Sequence, residues 1–447
     1  MGACRGLGQA AADGDGGRRG AAEEAGERPV VGEQDVVGEL LRPAAGERAG
    51  EVEEALGEEY GVGGDGVGDL ALLRGVLGGM ALIAAAYGLA RFGYGLFLPR
   101  LEESFTLGPA VSGAVQAGSF LSYCVCALVA SRMGARPRAV VAWAGATACL
   151  GSLGVALAPG AGLLALGVVV AGAGAGFATP GLVSVVERNV APDRQETAQT
   201  IVNAGTGAGI VLAGGMALVA GDQWRPAWVA IAAVSAAATV ASLRADRAPG
   251  PGRRQPPSVG RVELARLVRP IVAAALAGCA SAAVWTFGRS LMAESTSDGG
   301  SVAAWMVLGA CGVLGAVAGP LVHAWDLRAA WALTCAAMAA ATVTLGLVPS
   351  GVVAVAAVGV FGASYTAMSG VLIVWAVRVL PDSSAAATVV LFVALALGQA
   401  AGSVLVGALL GATSAAVAFT AAGAVGVVST AVVVMQRERR GVEAAVR

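Results

Sequence analysis

Twelve apolar runs follow one another through most of the chain and leave little room for any other structure. Each is close to the roughly 20 residues that an α-helix needs to cross the hydrocarbon of a bilayer. Backbone groups in lipid must satisfy one another, so spanning segments of this kind are expected to be helices. The runs cover residues 75–98, 109–130, 139–158, 162–185, 198–220, 226–243, 270–292, 302–324, 329–348, 352–377, 385–410 and 414–435.

The composition agrees with a chain that lies mostly in lipid. Hydrophobic residues make up 56% of the sequence and charged residues only 13%, whereas soluble domains carry roughly a quarter charged residues. The single histidine, His323, and cysteines without ligand spacing argue against a metal site. We therefore expect an all-α integral membrane protein that is not an enzyme, with no catalytic residue, no metal and no cofactor.

Polar segments divide the chain into regions. Residues 1–74 are acidic, rich in Gly, Ala and Glu and poor in aromatic residues, which predicts a disordered tail. Residues 244–269 form a long, basic, Pro-rich link between the sixth and seventh runs. This link separates a first six-helix half, 75–243, from a second half, 270–436, which a short tail, 437–447, follows. Basic links beside a membrane favour lipid headgroups over nucleic acid as partners.

The arginines of the links predict the orientation. Links on one side and the C-terminal tail carry eighteen arginines, and the links on the other side carry only Arg100 and Arg225. Positive residues are enriched in cytoplasmic links. The sequence therefore predicts a multi-pass protein of a bacterial inner membrane with both termini and the central link in the cytoplasm.

The two halves repeat a pattern, and the pattern resembles a known family. The first run of each half contains a Phe-Gly pair, in ARFGYGLFLP and VWTFGRSLMA, and the link after the second run has the sequence ALVASRMGARPR. The repeat, the central link and Arg132, Gly134 and Arg136 together resemble the major facilitator superfamily across residues 75–436. The first run is most similar to a poorly characterised bacterial branch that reads GLxRFxYGxxLP.

The resemblance implies a fold and a mechanism. It implies twelve helices in two halves, a monomer that works as a secondary transporter by alternating access, and helices 1, 4, 7 and 10 around a central cavity. It also implies a gating role for the link after the second helix, at Ser131, Arg132, Gly134 and Arg136. Ser131 stands where the family has an aspartate, so the role of that acid is in doubt.

Arg91 and Arg289 each lie inside an apolar run that contains no acidic residue. A charge within the bilayer is costly unless it faces a cavity or a partner, so both are candidates for a site. The substrate-binding candidates are Arg91 with Tyr87 and Tyr94 at helical spacing, Arg289 with Trp285, and Tyr365 on the tenth helix. Three intramembrane amides, Gln116, Asn203 and Gln399, are expected to bond between helices.

Two unpaired arginines favour a small organic anion, such as a carboxylate, as the transported solute. Because no acidic residue lies mid-span, coupling to protons, coupling to a counter-transported solute and uncoupled diffusion all stay open. Two alternatives also stay open: a sensor or scaffold of the same fold that transports nothing, and an exporter of drugs or metabolites.

Overall fold

The computed structural model describes residues 66–133, 135–191, 194–246, 260–317 and 326–434. Helix α1 has three parts, an α-helix over Gly66–Ile83, a π-helix over Ala84–Arg91 and an α-helix over Gly93–Phe105. The other helices are α2 Pro109–Arg132, α3 Pro137–Ala156, α4 Ala161–Asn189, α5 Gln195–Ala220, α6 Trp224–Ala245, α7 Arg261–Ala293, α8 Asp298–Val317, α9 Leu327–Leu347, α10 Gly351–Val379, α11 Ser384–Ala412 and α12 Ala415–Val434.

Within these ranges all twelve helices are long and apolar enough to cross a membrane, and there is no β-strand. This confirms the predicted all-helical fold. In the first half α3 packs against α4 and α6, and in the second half α9 packs against α10 and α12. The halves meet where α2 contacts α11, where α5 contacts α8 and where the last part of α1 contacts α7.

Two helices extend well beyond the predicted runs. Helix α1 continues past residue 98 because Leu101 is fully buried, and it ends at Thr106, whose φ of 50° is left-handed. Helix α7 begins at Arg261, inside the predicted link, where the backbone N–H of Gly260 donates to the Glu263 carboxylate at 2.7 Å. Residues 66–74, predicted as part of the disordered tail, form the start of α1 instead. The end of the eighth run, residues 1–65, the C-terminal tail and most of the link lie outside the described residues.

Small residues let α1 pack closely against its neighbours. A Cβ on Gly88 would lie 2.5 Å from the Cα of Gly209 in α5, and a Cβ on Gly95 would overlap the carbonyl oxygen of Trp285 in α7. Helices in lipid approach this closely only where side chains are minimal. Helix α1 is therefore held against both halves, with all residues from 82 to 98 buried except the half-buried Tyr87.

The two ends of the bundle differ in their charged groups. The end with the α1–α2, α5–α6 and α7–α8 links is called the Arg100 end, and the arginine pattern predicts that it is extracellular. The opposite end is called the Asp246 end. There the buried Asp246 carboxylate pairs with Arg188 at 2.5 Å and accepts from the Asn189 side chain at 2.9 Å, while the Arg138 guanidinium donates to the Asp246 carbonyl at 2.6 Å. These contacts join the ends of α3, α4 and α6.

Candidate functional site

A π-helical turn sets the position of Arg91. The N–H of Phe92 donates to the carbonyl of Tyr87, five residues earlier, at 2.9 Å, so the helix is wider over this turn than an α-helix. Turns of this kind are uncommon and are often found at functional sites. Arg91 ends the turn, and only 4% of its surface is exposed.

The Arg91 guanidinium contacts only uncharged side chains. Its Nη2 donates to Gln399 Oε1 at 3.2 Å, and its Nε is buried without a hydrogen-bond partner. Its Cζ lies 4.2 Å from the ring centre of Tyr123 and 5.0 Å from that of Phe120. Aromatic faces attract a cation but do not neutralise it. Within the described part of the chain, no carboxylate lies within ion-pair distance of this guanidinium.

Gln399 connects Arg91 to the second half. This α11 side chain accepts from Arg91 through Oε1, and its Nε2 donates to the Tyr365 hydroxyl at 3.1 Å and to Ser281 Oγ at 3.5 Å. The amide oxygen thus accepts from the first half, and the amide nitrogen donates to side chains of the second half. A hydrogen-bonded chain therefore runs across the interface between the halves, through α1, α11, α10 and α7.

Tyr87 extends the cluster into the first half. Its hydroxyl lies 2.8 Å from Thr179 Oγ1 in α4 and donates to the Tyr123 hydroxyl in α2 at 3.3 Å. Tyr87, Thr179 and Tyr365 are half-buried, whereas residues 171–178 of α4, on the Arg100 side, are all buried. The cluster is thus covered more completely on its Arg100 side than on its Asp246 side.

Trp285 lies beside this chain in an aromatic group. Its ring stacks on Phe92 with ring centres 4.1 Å apart, and it meets the rings of Tyr365 and Phe361 edge-on at 5.1 and 5.5 Å. Its Nε1 is buried without a hydrogen-bond partner. Arg91, Tyr87, Tyr365 and Trp285 are therefore brought together; with Gln399, Tyr123 and Thr179 they are called the Arg91 cluster.

The Tyr94 side chain does not form a hydrogen bond with the Arg91 cluster. The predicted stripe assumed an unbroken α-helix, but the π-helix over Ala84–Arg91 changes the register within the stripe. The Tyr94 hydroxyl donates instead to the backbone carbonyl of Ser112 in α2 at 3.2 Å.

Arg289 was expected to be unpaired, and this expectation is wrong. Its Nη2 pairs with Asp298, and its Nη1 donates to the Leu96 carbonyl of α1 at 2.7 Å. Asp298 also pairs with Arg100 at 3.2 Å, and Arg100 pairs with Asp222 at 2.5 Å. Asp298 lies beyond the apolar run that holds Arg289, at the start of α8, and a short link brings it back. These side chains form an ion-pair network that joins the halves at the Arg100 end.

The link after α2 lies at the Asp246 end. Ser131 donates to the Leu128 carbonyl at 2.8 Å, so it behaves as a helix-end hydroxyl. Arg132 and Arg136 are exposed, and Gly134 lies outside the described residues. The buried acid at this end is Asp246, at the end of α6. The gating role of the four link residues stays a prediction.

Sequence reasoning did not assign three members of the Arg91 cluster. Gln399 was expected only to bond between helices, although an amide inside a long apolar run could have marked it. Tyr123 and Thr179 lie on α2 and α4, so no helical spacing in the sequence relates them to Arg91. Only the packing of four helices brings these side chains together.

Comparisons with known proteins place the fold. The nucleoside transporter NupG is 13% identical, with a TM-score of 0.65 over 80% of this chain and 97% of its own. A POT family transporter in complex with 5-aminolevulinic acid is 11% identical, with a TM-score of 0.68 over 80% and 95%. A bacterial homologue of the human lysosomal transporter Spinster is 16% identical, with a TM-score of 0.60 over 83% and 96%. A search of curated protein sequences gave no match.

A family comparison covers most of the chain. The family model described as Major Facilitator Superfamily matches residues 80–394, which include α2 to α10 and every residue of the Arg91 cluster except Gln399. The structures that resemble this chain are transporters of the same general architecture. The resemblance predicted from the sequence is thus confirmed, and the protein belongs to the Major Facilitator Superfamily of membrane transporters.

Proposed function

We propose that this protein is a secondary transporter that moves a small organic anion, with a carboxylate held by Arg91, through alternating access of the two halves. The observation that carries the proposal is the buried Arg91 guanidinium, which contacts only an amide and aromatic rings. Among the described residues, no carboxylate forms an ion pair with this positive charge at the interface between the halves.

The chemistry of a guanidinium supports a carboxylate as its ligand. A guanidinium offers N–H donors in a planar fork that matches the two oxygens of a carboxylate. The Nε of Arg91 has no partner, and its bond to Gln399 is one that a ligand oxygen could replace. The buried Trp285 Nε1 is a second donor without a partner in the same group of side chains.

The arrangement around the site supports alternating access. The network of Arg289, Asp298, Arg100 and Asp222 joins the halves at the Arg100 end, and Tyr87, Thr179 and Tyr365 of the Arg91 cluster are half-buried. A solute would then reach Arg91 from the Asp246 end. Opening of the Arg100 end requires the inter-half contacts of Arg100 and Arg289 to break, as expected when two halves rock about a central site.

The fold can hold a ligand of this class. One structure of the same fold, a POT family transporter, contains 5-aminolevulinic acid, a small molecule with one carboxylate. The identity of 11% limits the comparison to the fold. The assignment of the anion therefore depends on Arg91.

Arg91→Gln tests the proposal because it keeps a polar side chain but removes the charge. A panel of small carboxylates is titrated against purified protein, and uptake into liposomes is measured for those that bind. Loss of a charge-assisted hydrogen bond should weaken binding roughly 10- to 100-fold and reduce uptake similarly. The matched control is Arg225→Gln, since Arg225 donates to the carbonyls of Ala156 and Ala158 at the Arg100 end.

The outcomes separate the proposed function from its alternatives. Unchanged carboxylate uptake by Arg91→Gln would remove Arg91 from the binding site. Binding that depends on Arg91 without any flux in liposomes would favour a sensor or scaffold of the same fold. Uptake of uncharged apolar compounds alone would favour an exporter of drugs or metabolites.

A further inference from the structure

A second basic site lies at the Asp246 end of the second half, and none of its lining residues belongs to the Arg91 cluster. A cavity of about 270 Å³ opens between the start of α7, the start of α9 and the ends of α10 and α12. One arginine from each of the first three helices lines it: Arg269, Arg328 and Arg378. The remaining lining residues are Asp326, Leu327, Trp375, Val432 and Val433.

The charges around this cavity are not balanced. Three guanidinium groups face one carboxylate, that of Asp326, and none of the three forms an ion pair within the described ranges. Like charges gathered around one space repel one another, so an anion in that space is favoured. Helix α9 begins here, and Asp326 at its N-cap makes no side-chain capping bond, which adds free backbone N–H groups.

The cavity also has apolar lining residues. Leu327, Val432 and Val433 line it together with Trp375, whose ring meets Trp331 edge-on with centres 5.4 Å apart. Tryptophan is common where a membrane protein passes from hydrocarbon to headgroups. A soluble phosphate would contact the arginines alone, whereas an amphipathic ligand would contact both the arginines and the apolar residues.

We propose that this cavity binds the phosphate headgroup of an anionic phospholipid, with its acyl chains against Val432, Val433 and Leu327. The three arginines hold the phosphate oxygens by charge-assisted hydrogen bonds, and Trp375 packs beside the glycerol region. The lipid thereby connects α7, α9 and α10 at one end of the second half. Basic pockets between membrane helices are suited to anionic headgroups.

The test removes the three charges and compares the result with an equal loss of charge elsewhere. The variant Arg269→Gln/Arg328→Gln/Arg378→Gln is titrated with phosphatidylglycerol in detergent, and bound lipid is counted by native mass spectrometry. The control is Arg74→Gln/Arg244→Gln/Arg266→Gln, because these arginines are exposed and do not line the cavity. We expect affinity to fall roughly tenfold or more in the variant and to stay within about twofold in the control.

Two further measurements make the result decisive. Glycerol 3-phosphate and inorganic phosphate are added in place of the lipid, and we expect neither to bind with comparable affinity. Equal phosphatidylglycerol binding by the variant and the control would overturn the site. Soluble phosphates that bind as tightly as the lipid would overturn the lipid assignment. If the triple variant does not fold, Arg378→Gln alone is compared with Arg266→Gln under the same criteria.

Discussion

Gln399 is the residue through which the state of Arg91 can reach the second half. Its Oε1 accepts from Arg91, and its Nε2 donates to Tyr365 and Ser281. A ligand carboxylate that takes the Arg91 N–H groups would release the amide oxygen from this bond. Binding of the solute would then loosen a contact between the halves at the centre of the protein.

Gln399→Glu is expected to mimic a bound anion. The new carboxylate would lie near the Arg91 guanidinium and form a buried ion pair with it, so an external carboxylate would have to compete. We expect carboxylate affinity to fall roughly tenfold or more, as measured by isothermal titration. Gln116→Glu is the matched control, since Gln116 is buried in α2 and its Oε1 has no hydrogen-bond partner. Carboxylate binding at full strength by Gln399→Glu would contradict the role given to this amide.

At the residue scale, the sequence predicted Arg91 as a site residue but did not predict most of the side chains around it. A cation in an apolar run could be recognised because its cost in lipid is large. The pairing of Arg289 could not be predicted, since Asp298 lies after the apolar run and a short link between α7 and α8 brings it back to Arg289. The divergence of Tyr94 from the stripe depends on a π-helical turn, and no residue of AAAYGLAR requires that turn.

At the scale of the element, the helices could be predicted because a membrane leaves few other structures. The start of α2 at Pro109 and the start of α4 at Ala161 lie within a residue of the predicted runs. The end of α1 could not be predicted by apolarity, because Arg100 and Glu102 continue the helix through contacts with Asp298, Ser112 and Ser290. Tertiary partners, rather than hydropathy, decide where such a helix ends.

Asp246 is expected to stabilise the first half by holding the ends of α3, α4 and α6 together. Asp246→Ala removes the buried carboxylate to which Arg188 and Asn189 donate, and breaking a buried pair costs about 3 to 5 kcal/mol. We expect a clearly lower melting temperature in detergent, as measured by intrinsic fluorescence. Asp222→Ala is the control, because its side chain is 84% exposed, and an exposed pair is worth about 1 kcal/mol or less. Equal melting temperatures for the two variants would contradict the structural role of Asp246.

At the scale of the whole molecule, charged groups join the two halves at the Arg100 end. Arg289 of the second half reaches the Leu96 carbonyl of the first half, and Arg100 of the first half reaches Asp298 of the second half. Both arginines thus meet at Asp298. The Glu102 carboxylate adds a hydrogen-bonded link between the halves that is not an ion pair. It accepts from the Ser112 hydroxyl of α2 at 2.9 Å and from the Ser290 hydroxyl of α7 at 3.2 Å.

Asp298→Asn is expected to shift the protein toward opening at the Arg100 end. The change removes the charge that Arg289 and Arg100 share, while the side chain keeps its size. Hydrogen–deuterium exchange should become faster in peptides that cover residues 93–105 and 289–300, because these segments lose contacts between the halves. Glu103→Gln serves as the control, since Glu103 is 77% exposed and contacts Arg100 within the same helix. Unchanged exchange in both segments would show that closure does not depend on Asp298.

Arg91 places a cation at the interface between the halves without an ion-pair partner among the described residues, and this charge governs how the protein can move when no solute is bound. During rocking the charge would pass through a less polar setting, and a bound monoanion would cancel it. The loaded protein should therefore change conformation more readily than the empty one. We expect labelled carboxylate to leave liposomes faster when the same carboxylate is present outside than when the outer solution contains none; equal rates would mean that resetting of the vacant protein is not limited by this charge.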